Sequence, residues 1–236
     1  MQKALCQPDL RLCRHHITSG QFLSEKRQEM ILRVMRYQCT LKTSRNRPVR
    51  KEIEKEQGED DMNEIIKAME ERRSIRKFKA DVPAKEDLQQ IVEAGLYAAS
   101  GMGKQSAMVV AVTKKELRDQ ISEDNRKIGG WDAGFDPFYG APVILIVLGN
   151  KEVPTHVYDG SLVMGNLMLA AHALGLGSIW IHRAKEEFEQ EGYRKLLKDL
   201  GVEGEWEGIG HCAVGYVEGD LPKAADRKDG RVLWVE

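Results

Sequence analysis

The residues best suited to chemistry are three arginines grouped around one serine. Arg72, Arg73, Ser74 and Arg76 fall in the segment Arg-Arg-Ser-Ile-Arg-Lys-Phe at positions 72–78. In an extended chain, alternate side chains project to the same side, so two guanidinium groups and a hydroxyl would point together. Guanidinium groups and hydroxyls are suitable donors to phosphate oxygens. The segment therefore predicts a phosphate site, while the simpler alternative is a basic helix end favoured by the helix dipole.

Two glycine-rich stretches predict turns between a helix and a strand. Residues 100–106 read Ser-Gly-Met-Gly-Lys-Gln-Ser, and residues 175–178 read Gly-Leu-Gly-Ser. The backbone of the first turn is open enough to cradle a ligand. Neither stretch matches a Walker loop or the G-x-G-x-x-G pattern, so each is weak evidence by itself.

Residue types used in nucleophilic and metal chemistry are present, but not in the required patterns. Asp159, Ser161 and His172 lack the turn that exposes a catalytic serine. His211 and Cys212 are adjacent, so on a strand they would face opposite sides. The sequence has no H-E-x-x-H motif and no paired C-x-x-C motif. We therefore predict neither a catalytic side chain nor a metal site.

Composition indicates a soluble, globular protein. The chain has 236 residues, of which 42% are hydrophobic and 31% are charged, and its formal net charge is −1. A net charge so close to zero does not indicate a nucleic-acid-binding protein. The longest apolar runs are too short to cross a bilayer. Cys212 is the single cysteine after residue 61, which favours a reducing compartment. With no secretory signal evident, we expect a cytoplasmic protein without nucleic-acid or membrane partners.

Residues 1–61 form a basic N-terminal extension whose sequence pattern does not predict a folded domain. They carry 13 Lys and Arg against 9 Asp and Glu, and a dense charge run occupies residues 51–61. Such a segment is typical of a disordered tail or linker. A zinc site from its cysteines and histidines, or a nucleic-acid-binding arm, is an alternative. Our hypothesis is that translation of the native protein starts at Met62 and that residues 1–61 come from a start codon assigned too far upstream. The codons for residues 58–61 can contain a ribosome-binding sequence just before Met62.

Apolar periodicity after Met62 predicts a mixed α and β domain with a sheet core. The predicted helices run from an Asn63 N-cap to about 73, from Pro83 to about 99, and over 114–121, 158–174 and 185–200. The predicted strands are 107–112, 143–148, 178–182 and 209–217, with a candidate fifth strand at 232–235. Residues 128–140 predict a glycine-rich loop that contains several aromatic residues. The helix over 158–174 is apolar nearly all round, which predicts burial within the domain or at a subunit interface.

From about residue 62 to the C-terminus, these segments together resemble the nitroreductase family of FMN-dependent oxidoreductases. Residues 72–78 resemble the family's R-x-S-x-R-x-F opening, and residues 99–106 resemble its P-S-x-x-N-x-Q-P turn. The other similar segments are 139–142 at the entry to a central strand, 166–171 and 175–178 in the central helix and its exit, and the basic pair 227–228.

The resemblance implies a fold, an assembly and an activity. The fold would be an α+β, three-layer α/β/α sandwich with a central, mostly antiparallel sheet, and two copies would intertwine as a homodimer. The domain over residues 62–236 would bind FMN. It would pass hydride from NADH or NADPH through FMN to a small-molecule acceptor such as a nitroaromatic or a quinone. The alternative is a flavin-binding protein that acts as a sensor or store without turnover.

The resemblance also assigns roles to individual residues. Arg72, Ser74 and Arg227 would hold the FMN phosphate. Arg73 would lie along the ribityl chain, and Arg76 near the pyrimidine edge of the ring. The backbone of Ile181, His182 and Arg183 would face flavin N5 and O4, Ser100 and Gln105 would reach the partner's FMN, and Trp131, Phe138 and Tyr139 would line the substrate side.

Three positions of the 99–106 turn depart from the family pattern. Ala99 and Ser106 replace prolines, and Gly103 replaces an asparagine. The loss of an amide at position 103 removes a possible contact to flavin. It does not affect the predicted phosphate site.

Overall fold

A computed structural model describes residues 62–236 as helices on both sides of one sheet. The predictions made for residues 1–61 lie outside the described residues. The helices are α1 (Glu64–Glu71), α2 (Lys85–Leu96), α3 (Lys115–Gly129), α4 (His156–Ala173), α5 (Ala184–Phe188) and α6 (Glu191–Asp199). The strands are β1 (Ala107–Val112), β2 (Val143–Asn150), β3 (Gly177–Ile181) and β4 (Trp206–Gly215), with a 3₁₀ turn at Gly101–Gly103.

The sheet has the order β1-β2-β4-β3, and each neighbouring pair is antiparallel. β2 is buried along nearly its whole length, as its continuous apolar sequence requires. Ile144 and Ile146 pack on the side of α3, α5 and α6, whereas Val143 and Leu145 pack against α2 and α4. The alternation places one hydrophobic core on each face, which confirms the predicted three-layer fold.

Local signals located most elements correctly. The side chain of Asn63 accepts a hydrogen bond from the backbone N–H of Ile65 at 3.0 Å, which confirms the predicted N-cap. β1 has the predicted bounds. Pro83 lies two residues before α2 rather than at its first position, since Ala84 is the N-cap.

Two predicted helices had the wrong bounds because tertiary contacts decide where these helices end. α3 continues to Gly129 because Ile121 and Asn125 are buried along it, and it stops where Gly130 adopts a φ of 68°. The predicted helix over 185–200 is divided into α5 and α6, and this break lets the rings of Phe188 and Tyr193 pack with centroids 5.2 Å apart.

The predicted fifth strand is absent from the described part of the chain. Residues 232–235 have no regular structure and are well exposed, and no strand within residues 62–236 lies beside them. An apolar sequence alone does not make a strand without a neighbour to receive its hydrogen bonds.

α4 has a buried face and an exposed apolar face. Met164 and Leu167 are fully buried against the sheet, whereas Tyr158 is 71% exposed and Leu162 is 51% exposed. The core of this domain therefore explains the apolar residues on one side of the helix, but not those on the exposed side. No helix within residues 62–236 is both long enough and apolar enough to cross a membrane.

A glycine allows α5 to lie directly on the sheet. A Cβ atom added to Gly208 of β4 would overlap the backbone carbonyl of Ala184, the first residue of α5. Backbone atoms cannot move aside as a flexible side chain can. The close approach of α5 to β4 therefore requires glycine at position 208.

We expect Gly208→Ala to lower the free energy of unfolding by about 1–3 kcal/mol, because the added methyl group overpacks the helix–sheet contact. Urea denaturation provides the measurement. Gly192→Ala in α6 is the matched control, since a Cβ there meets no atom within 4 Å. This control should stabilise the protein by about 0.5 kcal/mol. Equal effects of the two substitutions would contradict the proposed contact.

Candidate functional site

The arginine-rich segment is extended and is held by backbone hydrogen bonds. α1 ends at Glu71, and its C-cap Arg72 has a ψ of 136°, outside the helical region. The N–H of Ile75 donates to the carbonyl of Ser178 at 3.1 Å, and the N–H of Lys79 donates to Tyr216 at 2.9 Å. Ile75 and Phe78 are buried in the core. Arg76 and Lys77, which lie between them, are both exposed, so this segment is extended but does not keep the strict alternation of faces that the sequence predicted.

These residues line a cleft of about 910 Å³ with the C-terminal segment. Five predicted site residues lie on its walls, namely Arg72, Arg73, Ser74, Arg76 and Arg227. Lys223 adds a further positive charge, and two acidic residues, Glu70 and Asp226, offset part of the total. The cleft therefore carries an excess of three positive charges, which suits a phosphate ester.

Arg72 is the least satisfied of these residues. Its Nη1 atom is buried and has no hydrogen-bond partner, a condition that it shares with two other side-chain atoms of the described residues. By contrast, Arg73 donates through Nη1 to the carbonyl of Arg72 at 2.9 Å. A buried guanidinium nitrogen without an acceptor is costly, so an anion that reached Arg72 would remove an existing penalty.

The glycine-rich turn lies in a different cleft of the same chain. Ser100 and Gln105 line a space of about 190 Å³ beside Asp159 and Val163, and are not on the walls of the arginine cleft. Within one subunit, the structure therefore separates these two residues from the other predicted cofactor contacts.

The turn also explains the departure at position 103. Gly103 has a φ of 66°, and a Cβ atom there would meet nothing within 4 Å. This left-handed conformation is adopted most easily by glycine and asparagine. Gly103 therefore preserves the turn, although it lacks the amide that the family pattern supplies.

Asp159 holds this turn in place, a role that sequence reasoning missed. Its carboxylate accepts hydrogen bonds from the Gly101 N–H at 2.9 Å, the Ser106 hydroxyl at 2.6 Å and the Thr155 hydroxyl at 3.1 Å. Burial alone would raise the pKa of Asp159, but these donors outweigh it and lower the pKa. The available signal was an acidic residue in the first turn of α4, where the helix dipole favours it.

The aromatic loop is a connected set of rings beside two site arginines. The ring centroids of Trp131 and Phe135 are 5.2 Å apart, and those of Phe135 and Tyr139 are 6.0 Å apart. The Arg183 guanidinium lies 4.5 Å from the Trp131 centroid, and that of Arg76 lies 6.0 Å from the Tyr139 centroid. The loop thus joins the arginine segment to the end of β3 through cation–π contacts.

Phe138 differs from the other aromatic residues proposed for the substrate side. It is fully buried, and its ring lies 5.2 Å from that of His211. This position makes Phe138 part of the core beneath the loop.

Asp136 fixes the aromatic loop from inside, a role that no local sequence pattern indicates. It accepts hydrogen bonds from the Ser122 hydroxyl at 2.6 Å and the Gly140 N–H at 2.7 Å, and it is paired with Arg118. Although burial works against its charge, these partners lower the pKa of Asp136. The loop is therefore anchored by an ionised carboxylate.

The predicted segment 181–183 lies at the end of β3. Ile181 is buried, His182 is exposed, and Arg183 adopts a left-handed conformation with a φ of 78°. This conformation begins α5 immediately after the strand. The backbone turns sharply here, next to the aromatic loop.

The site shows no feature of thiol or metal chemistry within the described residues. Cys212 is buried, and desolvation raises the pKa of its thiol to about 12, although Arg72 opposes the shift. A thiol with this pKa remains protonated and unreactive at neutral pH. No cluster of three metal-binding side chains occurs among residues 62–236.

Comparison with known proteins finds one family and many similar structures. The sequence profile of the nitroreductase family matches residues 69–216. An FMN reductase [NAD(P)H] from Bacillus subtilis is 31% identical over 140 residues, which cover 50% of this chain and 53% of that protein. A nitroreductase with bound FMN from Bacteroides fragilis has a TM-score of 0.67 and 29% identity, and the match covers 74% of this chain and 100% of that structure.

Two further solved structures are also similar to this chain. An FMN-dependent nitroreductase from Clostridium difficile has a TM-score of 0.64 and 26% identity, with coverage of 73% of this chain and 99% of that structure. Oxidised iodotyrosine deiodinase, at 24% identity and a TM-score of 0.58, shares the fold.

We expect Asp159→Asn to lower the free energy of unfolding at pH 7 by about 2 kcal/mol, because an amide cannot accept all three hydrogen bonds. A carboxylate with a lowered pKa stabilises the fold above its unfolded-state pKa and loses this effect as the pH falls through its folded-state pKa. The difference between the two proteins should therefore shrink in acid, below about pH 4. Urea denaturation at several pH values measures it.

Asp199→Asn is the control for this prediction. Asp199 forms an exposed ion pair with Lys195 at 2.6 Å, so its loss should change stability by less than about 0.5 kcal/mol. A difference between Asp159→Asn and the natural protein that does not vary with pH would rule out the carboxylate as its source.

Proposed function

Because the chain belongs to the nitroreductase family, we propose that the arginine cleft is the FMN site of a flavin-dependent NAD(P)H oxidoreductase. The family profile covers more than half of the chain, and the Bacteroides fragilis relative is a nitroreductase with bound FMN. Bound FMN supplies the hydride chemistry, so a nucleophile or metal is not required of the protein. We propose residues 62–236 as the FMN-binding domain.

The observation that carries this assignment is Arg72, which lines a cleft with excess positive charge and whose buried Nη1 has no hydrogen-bond partner among the described residues. A phosphate ester would give this atom an acceptor and would meet Ser74 and Arg227 on the same walls. The residues present therefore fit the phosphate of FMN. Arg73 and Arg76 line the same cleft, which supports their assignment to the rest of the cofactor.

The remaining site residues would act on the flavin ring and the acceptor. Arg76 carries the charge that stabilises an electron-rich ring, and its contact with Tyr139 helps to orient it. The ring of Trp131 and the Arg183 guanidinium would form a wall of the acceptor pocket, since both belong to segments beside the cleft. A nitroaromatic or quinone would stack against such rings.

The turnover itself can be tested with the purified holoprotein. Mixing the yellow protein with NADH or NADPH without oxygen should bleach the flavin absorption, and a nitroaromatic or quinone should restore it. A flavin-binding protein without turnover would keep its colour. A protein that takes up no FMN on reconstitution would refute the cofactor assignment.

We also propose a homodimer in which the glycine-rich turn reaches the partner's cofactor. Apolar side chains are exposed on several elements of one subunit, including Ile65 and Met69 on α1 and Tyr158 and Leu162 on α4. A second copy would cover these faces, and this pairing would give Ser100 and Gln105 a route to the other arginine cleft. We propose a cytoplasmic location, in keeping with the free thiol of Cys212.

Removal of the phosphate contact should weaken FMN more than riboflavin. We expect Arg72→Ala to lower the affinity for FMN by about ten- to a hundredfold, because a charge-assisted hydrogen bond is worth about 1.5–3 kcal/mol. Riboflavin lacks the phosphate and should bind almost as before. Fluorescence titration of both ligands measures the effect.

Arg194→Ala is the matched control for the loss of an arginine charge. Arg194 lies on α6 and lines a separate cleft, so its replacement should leave FMN affinity unchanged within about twofold. If Arg72→Ala weakened FMN and riboflavin equally, the phosphate assignment of Arg72 would be wrong.

The proposed dimer can be tested by sedimentation and by placing a charge on the exposed face of α4. We expect the natural protein to sediment as a dimer at micromolar concentration. Leu162→Glu should give insoluble or flavin-free protein, because an obligate interface does not accept a buried charge. Leu200→Glu is the control, since Leu200 is 57% exposed at the end of α6, in the helix layer on the other side of the sheet. A yellow, monomeric natural protein would contradict the dimer and the roles of Ser100 and Gln105.

A further inference from the structure

Three fully buried polar side chains meet beneath the end of β3. They are Asn125 of α3, Glu187 of α5 and His211 of β4, and each is 0% exposed. Asn125 Nδ2 donates to Glu187 Oε1 at 2.8 Å, and His211 Nε2 lies 2.7 Å from Glu187 Oε2. The carboxylate of Glu187 therefore joins the amide to the imidazole. We call these three side chains the buried polar network.

The other contacts of the network are to the backbone of the 181–183 segment. Asn125 Nδ2 also donates to the carbonyl of His182 at 2.9 Å. His211 Nδ1 lies 3.4 Å from the carbonyl of Ile181. Two successive carbonyl groups are thus tied to one network, immediately before Arg183 takes its left-handed conformation.

The orientation of the Asn125 amide shows that donation is its function. Both of its partners are acceptors, so Nδ2 faces them, and Oδ1 is left buried without a hydrogen-bond partner within the described region. A group optimised for stability alone would satisfy both ends of its amide. A buried ion pair or amide network is likewise weak evidence of a stabilising role, and is better explained by a structural arrangement that it specifies.

The arrangement specified here is the path of the backbone at residues 181–183. A non-glycine residue in the left-handed region persists only when its surroundings fix it. Arg183 is held on one side by its contact with Trp131 and on the other by the carbonyl contacts just before it. The ring of Phe138 packs on His211 and so connects the network to the aromatic loop.

We propose that Asn125, supported by Glu187 and His211, is a positioning residue that fixes the 181–183 backbone against the flavin ring and thereby sets the reduction potential of bound FMN. This inference rests on the proposed function together with the expectation, from the family resemblance, that this backbone faces flavin N5 and O4. Asn125 itself does not touch the cofactor in this scheme. It acts through the carbonyl of His182.

The first test uses FMN-free protein and reads the segment directly. Trypsin cuts after Arg183 only when the segment opens locally, and mass spectrometry compares this cut with cuts elsewhere in the chain. We expect Asn125→Leu, which keeps the approximate size but removes both donors, to raise the rate at Arg183 by about tenfold. Cleavage at Lys151 and Lys198, which lie outside the network, should stay unchanged.

The second test reads the consequence for the cofactor. If the backbone no longer meets the reduced ring correctly, reduced FMN should lose about tenfold more affinity than oxidised FMN. For a two-electron couple this difference lowers the midpoint potential by about 30 mV. The potential is measured by equilibration with a reference dye, and Asn125→Ala provides a second variant if Asn125→Leu does not fold.

Tyr193→Phe is the matched control for both tests. The Tyr193 hydroxyl donates to Asp124 at 2.9 Å, so this change also removes a hydrogen bond between α3 and the α6 layer but leaves the 181–183 carbonyls untouched. It should alter neither the cleavage at Arg183 nor the potential.

The outcomes separate the inference from the proposed function. A natural protein that binds no FMN would refute both. Normal FMN binding with an unchanged potential and unchanged cleavage in both Asn125 variants would refute the positioning role alone. Increased cleavage with an unchanged potential would also refute it, since Asn125 would then be structural only.

Discussion

The antiparallel pairing of β2 with β4 is the constraint on which the site depends. β2 is covered on both faces, so β4 beside it has a fixed position and a fixed pattern of faces. In that pattern the side chain of His211 lies on one face of the sheet and that of Cys212 on the other. The absence of a side chain at Gly208 lets α5 rest on β4, which brings Glu187 to within 2.7 Å of His211.

Charged groups near the site fall into two kinds. The carboxylates of Asp136 and Asp159 are fully engaged with donors inside the protein, and both anchor irregular loops. The guanidinium of Arg72 has a buried nitrogen without a hydrogen-bond partner among the described residues, and Arg72 lines a cleft with a positive excess. The carboxylates of Asp136 and Asp159 therefore make their hydrogen bonds within the protein and hold the loops near the site. The Arg72 guanidinium keeps an unpaired donor for an anionic ligand.

The shapes of the loops around the site depend on single residues in the left-handed region. Gly103 permits the glycine-rich turn by its lack of a side chain, and Asp159 holds the turn through Gly101. Arg183 has no such freedom, so its conformation depends on neighbouring contacts. Glycine at position 103, where the family pattern has asparagine, thus preserves the backbone of the turn but removes the side-chain amide that could contact a ligand.

The sequence by itself determined β1, the Asn63 cap and the extended arrangement of residues 72–78, because these follow from periodicity and local hydrogen bonding. The motifs in that order also determined the family. Only the tertiary structure decided that α3 runs to Gly129 and that Asp159 holds the glycine-rich turn. It alone joined Asn125, Glu187 and His211, since contacts between residues so far apart in the chain depend on how whole elements pack, and no local pattern encodes that packing.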